Sequence, residues 1–197
     1  MTEQKTGPAA LRPRSQRARA AVLKAATELM REPGPELTVD AIAARSGVSK
    51  ATIYKHWPNK TAVAIDAFAE HMATQVPLPD TGSAHADLRE LVHSVFAFYS
   101  SADGQTFAGL IAGVHGDETG KRMFVERFLL GRREGVRTVW ARGVDRGELR
   151  ADVDVEVAID LLFGPAIFRL MTGHDTFGPD FADAVTEAAL RGLATGV

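Results

Sequence analysis

The chain has no cysteine among its 197 residues. It therefore contains no disulfide, no thiolate metal site, no cysteine nucleophile and no thiol redox sensor. It also lacks an uninterrupted apolar run of the roughly 18–20 residues that a membrane-spanning helix requires, and its first residues have no apolar segment for export. These absences lead us to expect a cytoplasmic protein that does not insert into a membrane.

The net charge is also small, at −2, but the positive and negative residues are distributed unevenly along the chain. Residues 1–60 carry eleven Lys or Arg and five Asp or Glu, whereas residues 61–197 carry twelve and twenty. A basic first part joined to an acidic body indicates a polyanionic partner for the first part alone. The hydrophobic content of 45% is typical of a folded globular protein with a core.

Ordered structure is predicted to begin near residue 15. Residues 1–14 contain prolines, a glycine and basic side chains without an apolar period, which predicts a disordered basic arm. From Ser15 onward, small and apolar residues follow the 3.6-residue period of a helix until the Pro-Gly-Pro sequence at 33–35 ends it.

Residues 38–60 have the pattern of a helix-turn-helix. Thr38 and Ser49 are suited to cap the starts of two short helices, and Gly47 lies where the first of them must turn sharply. Ile53 is spaced to face back toward the first helix of the pair and to hold the second helix against it. A further helix is predicted to run from residue 60 to about residue 74.

The outward side chains of this motif have the chemistry that a DNA groove requires. Lys50 and Thr52 can bond base edges or phosphates, and Ala51 leaves room for a thymine methyl. The predicted DNA-binding residues are Thr38, Ser49, Lys50, Ala51, Thr52, Tyr54, Lys55, His56 and Lys60. The alternative interpretation is that these residues form only a solvated helix face.

Helical periodicity resumes after a linker rich in proline at residues 75–83. The predicted helices cover residues 85–101, 105–114, 119–146, 153–171 and 179–193. Strand-like alternation is found only in a short, ambiguous stretch. We therefore predict an all-α fold with two domains, a helix-turn-helix domain at residues 15–74 and a larger helical domain at residues 84–197.

The second domain is expected to contain a ligand pocket. Its many phenylalanines, together with glycines that leave space between helices, favour an apolar cavity. The predicted ligand-binding residues are Phe96, Tyr99, Phe107, His115, Phe128, Phe163 and Phe168, with Tyr99 and His115 as the polar groups that orient a ligand. The expected ligand is apolar or aromatic; alternatively, these aromatic residues form a simple core.

The last two predicted helices are expected to form a homodimer interface. Residues 153–171 are apolar on nearly every side, so this helix needs cover on more than one face. Ala184, Ala188 and Gly192 on the final helix would allow close approach. A two-fold copy of the same helix pair would complete a four-helix interface.

Catalytic and metal-binding patterns are missing. The six histidines form no HExxH or other dense ligand spacing, and no Gly-x-Ser-x-Gly sequence is present. We predict no catalytic residue, no metal ion and no cofactor, and hence no enzyme. The basic residues between 121 and 137 are interpreted as a solvated helix face with Glu126 and Glu134 as partners.

The helix-turn-helix segment resembles the N-terminal domain of the tetracycline-repressor (TetR/AcrR) family of bacterial transcription regulators. The positions that match the family motif are Thr38, Ile42, Ala43, Gly47, Val48, Ser49, Thr52, Ile53, Tyr54, His56, Asn59 and Lys60. Ser46 and Trp57 stand where the family often has Ala and Phe. The segment that begins RGELRADVD is similar to the helical ligand-binding and dimerisation domain of one subgroup.

This resemblance implies a ligand-responsive, DNA-binding transcriptional regulator. We expect a repressor that binds a palindromic DNA operator as a homodimer and that a small apolar effector releases. Two alternatives remain, namely a constitutive DNA-binding regulator without an effector and a helical small-molecule-binding protein whose helix-turn-helix is incidental. Salt-dependent binding to a palindrome, and its loss on adding a compound, distinguish the three.

Overall fold

The computed structural model describes residues 13–32, 37–176 and 178–193. Within these ranges the chain is helical and contains no β-strand, so the predicted all-α fold is confirmed. The predicted arm lies outside the described residues except for Pro13 and Arg14, which already belong to the first helix. None of the helices described is long and apolar enough to cross a membrane.

The chain divides into two compact units, one up to Ala67 and one from Phe68 onward. The first unit holds α1 (Pro13–Arg31), α2 (Val39–Ser46), α3 (Lys50–His56) and the first half of α4 (Lys60–Gln75). The second holds the rest of α4, α5 (Ala84–Ser100), α6 (Ala102–His115), α7 (Glu118–Phe124), α8 (Leu130–Asp145), α9 (Val155–Thr172) and α10 (Pro179–Leu193). The boundaries of independently folding domains, expected at 15–74 and 84–197, stay a prediction.

Local hydrogen bonds define the turn between α2 and α3. The Thr38 hydroxyl oxygen accepts a hydrogen bond from the backbone N–H of Ala41 at 3.1 Å. The Ser49 hydroxyl oxygen accepts one from Thr52 at 3.3 Å in the same way. Gly47 ends α2 with a φ of 69°, a left-handed conformation in which a side chain would be strained. The predicted caps and turn are therefore present.

Buried apolar side chains hold the short α3 in place. Ile42 of α2 and Ile53 of α3 are fully buried, and burial of such a side chain contributes about 1.5–3 kcal/mol. Trp57, which follows α3, is also buried, and its indole N–H donates to Asp66 of α4 at 2.8 Å. One face of α3 is thus fixed in the core, which leaves the other face outward.

The second unit is organised around α5, which contacts α6, α8, α9 and α10. Leu88, Leu91 and Val92 of this helix are fully buried. The close approach of α8 to α5 requires Gly143, because a Cβ at this position would lie 2.6 Å from the Cβ of Ala84 on α5. Glycine at this position therefore permits close helix packing, although it lowers the helical propensity of α8.

A buried carboxylate fastens α5 to α8. Asp87 is fully buried, and its Oδ1 accepts hydrogen bonds from the backbone N–H and the hydroxyl of Thr81, both at 2.7 Å. Arg142 and Arg146 of α8 approach Oδ2 at 3.7 and 3.9 Å. Burial by itself raises the pKa of Asp87, but the Thr81 hydrogen bonds and the arginine charges outweigh it and hold this pKa below its ordinary value.

We predict that Asp87→Asn lowers the free energy of unfolding by about 2–3 kcal/mol at pH 7, because the variant leaves two arginines without their buried counter-charge. An aspartate whose pKa is lower in the folded protein than in the unfolded chain stabilises the folded state at pH values above its unfolded pKa of about 3.9. This stabilisation is lost as the pH falls through the folded pKa. The difference from the wild type should therefore narrow between pH 7 and pH 3. Urea denaturation at several pH values measures it.

Asp145→Asn is the matched control, because Asp145 is an exposed carboxylate on α8. It should change the unfolding free energy by less than about 0.5 kcal/mol. A loss for Asp87→Asn that is the same at pH 7 and pH 3 would show that the charge of Asp87 contributes nothing.

Candidate nucleic-acid interface and ligand cavity

All nine predicted DNA-binding residues lie at the surface of the first unit. We call them the α3 face: Thr38, Ser49, Lys50, Ala51, Thr52, Tyr54, Lys55, His56 and Lys60. Tyr54 is 53% exposed, which is a large aromatic surface to leave in water. Thr38 is the residue before α2, and Lys60 is the first residue of α4.

Neighbouring side chains restrict several members of the α3 face. The hydroxyls of Ser49 and Thr52 share a hydrogen bond of 2.9 Å. The His56 ring packs edge-on against buried Trp57, with the ring centroids 5.7 Å apart. These groups are positioned before any partner binds, which lowers the entropy cost of binding.

Asp40, an acidic residue that the sequence analysis did not connect with DNA binding, lies beside the α3 face. The Lys50 ammonium is 2.7 Å from a carboxylate oxygen of Asp40, and this hydrogen bond raises the pKa of Lys50. The ammonium keeps two further N–H donors, so Lys50 can bind an acceptor beside Asp40, whose negative charge would oppose an approaching phosphate. The spacing of the sequence did not predict this contact, because Asp40 lies on the first turn of α2, ten residues and a turn before Lys50.

The second unit contains an apolar cavity of about 580 Å³. This volume is within the range of small-molecule sites, which is about 300–1,000 Å³. Five of the seven predicted ligand-binding residues line it, namely Tyr99, Phe107, Phe128, Phe163 and Phe168. Residues from the end of α4 through α9 complete its wall.

Phe96 and His115 do not line this cavity, and the site proposed below omits them. One residue step rotates a side chain by about 100° around a helix, so Val95 and Tyr99 face the cavity while Phe96 packs against Phe181 of α10. Their ring centroids are 5.6 Å apart. His115 is the exposed last residue of α6.

Aromatic stacking builds one side of the cavity. The ring of Phe107 stacks on Phe68 at 4.7 Å and on Tyr99 at 5.0 Å, measured between centroids. A π-helical turn at Val125–Leu129 places Phe128 beside them. Such turns insert an extra residue into a helix and are frequent at functional sites.

Two arginines at the cavity correct the interpretation of residues 121–137 as a solvated face. Arg132 and Arg133 both line the cavity. Arg137 does pair with Glu134, at 2.9 Å, so the interpretation holds there. The signal for Arg132 was its spacing of four residues after Phe128, which places both side chains on one helix face.

The charge of Arg133 is balanced within the protein. Its guanidinium lies 2.5 Å from Glu156 and 2.8 Å from Asp160, both on α9. Arg137 also reaches Glu156, at 2.6 Å. Hydrogen bonds from these two arginines lower the pKa of Glu156. This network joins α8 to α9 and keeps Asp160, which lines the cavity, paired.

The helix α9 carries an exposed apolar stripe. The stripe, called the α9 stripe below, consists of Val157, Leu161, Gly164, Phe168 and Met171. Its spacing of four and three residues is that of helices that pack against a partner helix. Val157, Leu161 and Phe168 are 52%, 51% and 63% exposed. Ala184 and Ala188 of α10 are exposed as well.

Among the residues that the structure describes, no three His, Asp or Glu side chains form a group able to hold a metal ion. The features of the second unit are thus an apolar cavity with arginines at its wall and an uncovered apolar helix face.

Comparisons with known proteins agree with both units. Residues 22–67 match the family described as "Bacterial regulatory proteins, tetR family", and residues 78–189 match "Tetracyclin repressor-like, C-terminal domain". The chain is 37% identical over 183 residues to the HTH-type transcriptional regulator YdeS of Bacillus subtilis (strain 168). The matched region covers 92% of each protein.

Solved structures give the same result. The TetR family transcription regulator SCO0332 is 30% identical, with a TM-score of 0.82 over 89% of this chain and 97% of its own. The flavonoid-responsive regulator FrrA shares the fold at 22% identity, with a TM-score of 0.66 over 92% of this chain and 100% of its own. The chain therefore belongs to the tetR family of DNA-binding bacterial transcriptional regulators.

Proposed function

We propose that the protein is a cytoplasmic repressor that binds a palindromic operator as a homodimer and that a small apolar effector releases. The α3 face is the observation that carries the DNA-binding part of this proposal. A short helix whose inner side is fixed by Ile53, and whose outer side presents lysines, hydroxyls and an exposed tyrosine, has the dimensions and chemistry of a recognition helix.

The proposed docking places α3 in the major groove. Lys50, Ala51 and Thr52 at its start would contact base edges, as in other helix-turn-helix proteins. Thr38 and Lys60 would hold phosphates, which fix the register but carry no sequence information. Asp40 lies beside Lys50, so the strength of that ion pair would affect how much Lys50 contributes to DNA binding.

The proposed dimer covers the α9 stripe with the same stripe of a second copy. Its exposed side chains follow a packing period, and the small residues Ala184 and Ala188 on α10 allow close approach. A two-fold dimer presents two α3 helices to half-sites about 34–36 Å apart, which is why we expect a palindromic operator.

The proposed effector site is the cavity of the second unit. Phe168 and Met171 belong both to the cavity lining and to the α9 stripe, so a ligand would contact side chains of the proposed dimer face. A ligand with different affinities for two dimer arrangements shifts the population between them, and its effect is limited by that difference. FrrA is described as flavonoid-responsive, which supports a small-molecule response here.

The recognition role predicts distinct effects for two lysines. On an operator selected from a random DNA library, Lys50→Ala should weaken binding about 5- to 150-fold and relax the preference at one position per half-site. Lys60→Ala should weaken binding to operator and scrambled DNA alike and make the salt dependence shallower. Fluorescence anisotropy at several salt concentrations measures both.

Lys24→Ala serves as the charge-matched control, because Lys24 is an exposed lysine on α1 outside the α3 face. It should leave the sequence preference unchanged. An unaltered preference in Lys50→Ala would remove Lys50 from base recognition.

The dimer proposal predicts that Leu161→Arg yields a folded monomer with reduced operator affinity, because the variant places a charge in the proposed apolar interface. Ala188→Arg on α10 should act in the same way. Leu130→Arg is the control, since Leu130 is a leucine of similar exposure outside the α9 stripe (48% against 51%). Sedimentation velocity compares the three; a Leu161→Arg protein that sediments as a dimer would place the interface elsewhere.

The effector proposal predicts that apolar or aromatic compounds raise the melting temperature and weaken operator binding. Phe163→Ala should weaken binding of such a compound by about tenfold, because it removes a large contact surface from the cavity wall. Phe181→Ala is the control, because Phe181 is a half-buried phenylalanine outside the cavity lining. It should leave the affinity for such a compound unchanged. If no compound in a broad panel weakens operator binding, the protein is a constitutive regulator.

A further inference from the structure

The cavity wall carries a hydroxyl that makes no hydrogen bond within the described part of the chain. Tyr99 is 5% exposed and lines the cavity, yet its hydroxyl has no hydrogen-bond partner in the described part of the chain. Burial raises the pKa of Tyr99 well above its ordinary value, so the group remains a neutral donor. A hydroxyl that lines the cavity without a protein partner is free to donate a hydrogen bond to a ligand oxygen.

A cation without a carboxylate partner lines the same cavity as this hydroxyl. Arg132 interacts electrostatically with Tyr99 and lines the same cavity. Its guanidinium donates to the Val76 carbonyl at 3.3 Å, and no carboxylate of the described residues lies within 4.0 Å of it. Burial lowers the pKa of Arg132, but a guanidinium remains charged near neutral pH.

The neighbouring Arg133 shows what Arg132 lacks. Arg133 has two carboxylate partners on α9, and one of them, Asp160, is the acidic residue on the cavity lining. The positive charge that remains uncompensated at the cavity therefore belongs to Arg132. The rest of the lining is predominantly aliphatic and aromatic.

We infer that the effector is an amphipathic carboxylic acid, whose carboxylate binds Arg132 and the Tyr99 hydroxyl while its apolar body fills the cavity. This inference deepens the proposed function and rests on it. A carboxylate matches the planar guanidinium and can accept the phenolic hydrogen at the same time. A phosphate carries a charge of about −1.5 to −2, more than one guanidinium balances.

The test compares acids with amides of the same skeleton. The probes are decanoate with decanamide and biphenyl-4-carboxylate with biphenyl-4-carboxamide, titrated into the full chain by calorimetry. At least one acid should bind at least tenfold more tightly than its amide. Arg132→Met should weaken acid binding about 10- to 100-fold, the range for a hydrogen bond to a charged group, and amide binding less than threefold.

Two further variants assign the effect to the site. Tyr99→Phe removes only the hydroxyl and should weaken acid binding about 3- to 10-fold. Arg122→Met removes an exposed arginine of α7 outside the lining and should leave both affinities unchanged. If Arg132→Met does not fold, Arg132→Lys retains the charge without the planar fork and should still reduce acid binding several-fold.

The outcomes separate this inference from the proposed function. Equal binding of acid and amide, absence of acid binding, or acid binding that Arg132 variants leave unchanged would overturn the carboxylate inference. If neutral apolar compounds bind and release the operator instead, the proposed function stands without it. If acids bind as expected but leave operator affinity unchanged, the carboxylate site stands and the proposed effector response fails.

Discussion

The helix α9 has apolar side chains on several sides, and Glu156 and Asp160 pair with arginines of α8 on another. Ala158, Ile159 and Leu162 fill the core of the second unit, and Phe163 lines the cavity. The remaining side is the α9 stripe, which a single chain leaves in water. One helix therefore connects the core, the proposed effector site and the proposed dimer face, and a change in how it packs affects all three.

Several charged groups that the second unit draws out of water are paired with an opposite charge, whereas Arg132 is not. Asp87 is buried with Thr81 and two arginines, and Arg133 is balanced by carboxylates of α9. Arg132 has no such counter-charge within the described chain. Since uncompensated charge is costly away from water, the exception is most simply explained by a partner that arrives with the ligand.

In the first unit, a few buried contacts fix the position of α3. This helix is only seven residues long, and its position depends on Ile42, Ile53 and the Trp57–Asp66 hydrogen bond. The ion pair between Lys50 and Asp40 restrains one exposed lysine of the α3 face. If the α3 face binds DNA as proposed, Asp40 disfavours DNA sequences that offer Lys50 a poorer partner, which adds discrimination to attraction.

Features that depend on residues close together in the chain were predictable from the sequence. The caps at Thr38 and Ser49, the turn at Gly47 and the start of α10 at Pro179 depend on hydrogen bonds and backbone angles within about four residues. The resemblance of the helix-turn-helix motif was readable for the same reason. Such short-range preferences are properties of the residue types.

Which side chains meet across helices depends on how the helices pack. The packing turned Phe96 toward α10 and Tyr99 toward the cavity, and it placed Arg132 on the wall of the same cavity. It also paired Lys50 with Asp40. A rotation of one residue, about 100°, moves a side chain from one surface to another, and the packing of distant helices fixes that rotation. Helical periodicity identifies the apolar faces of a helix but not the neighbour that each face meets.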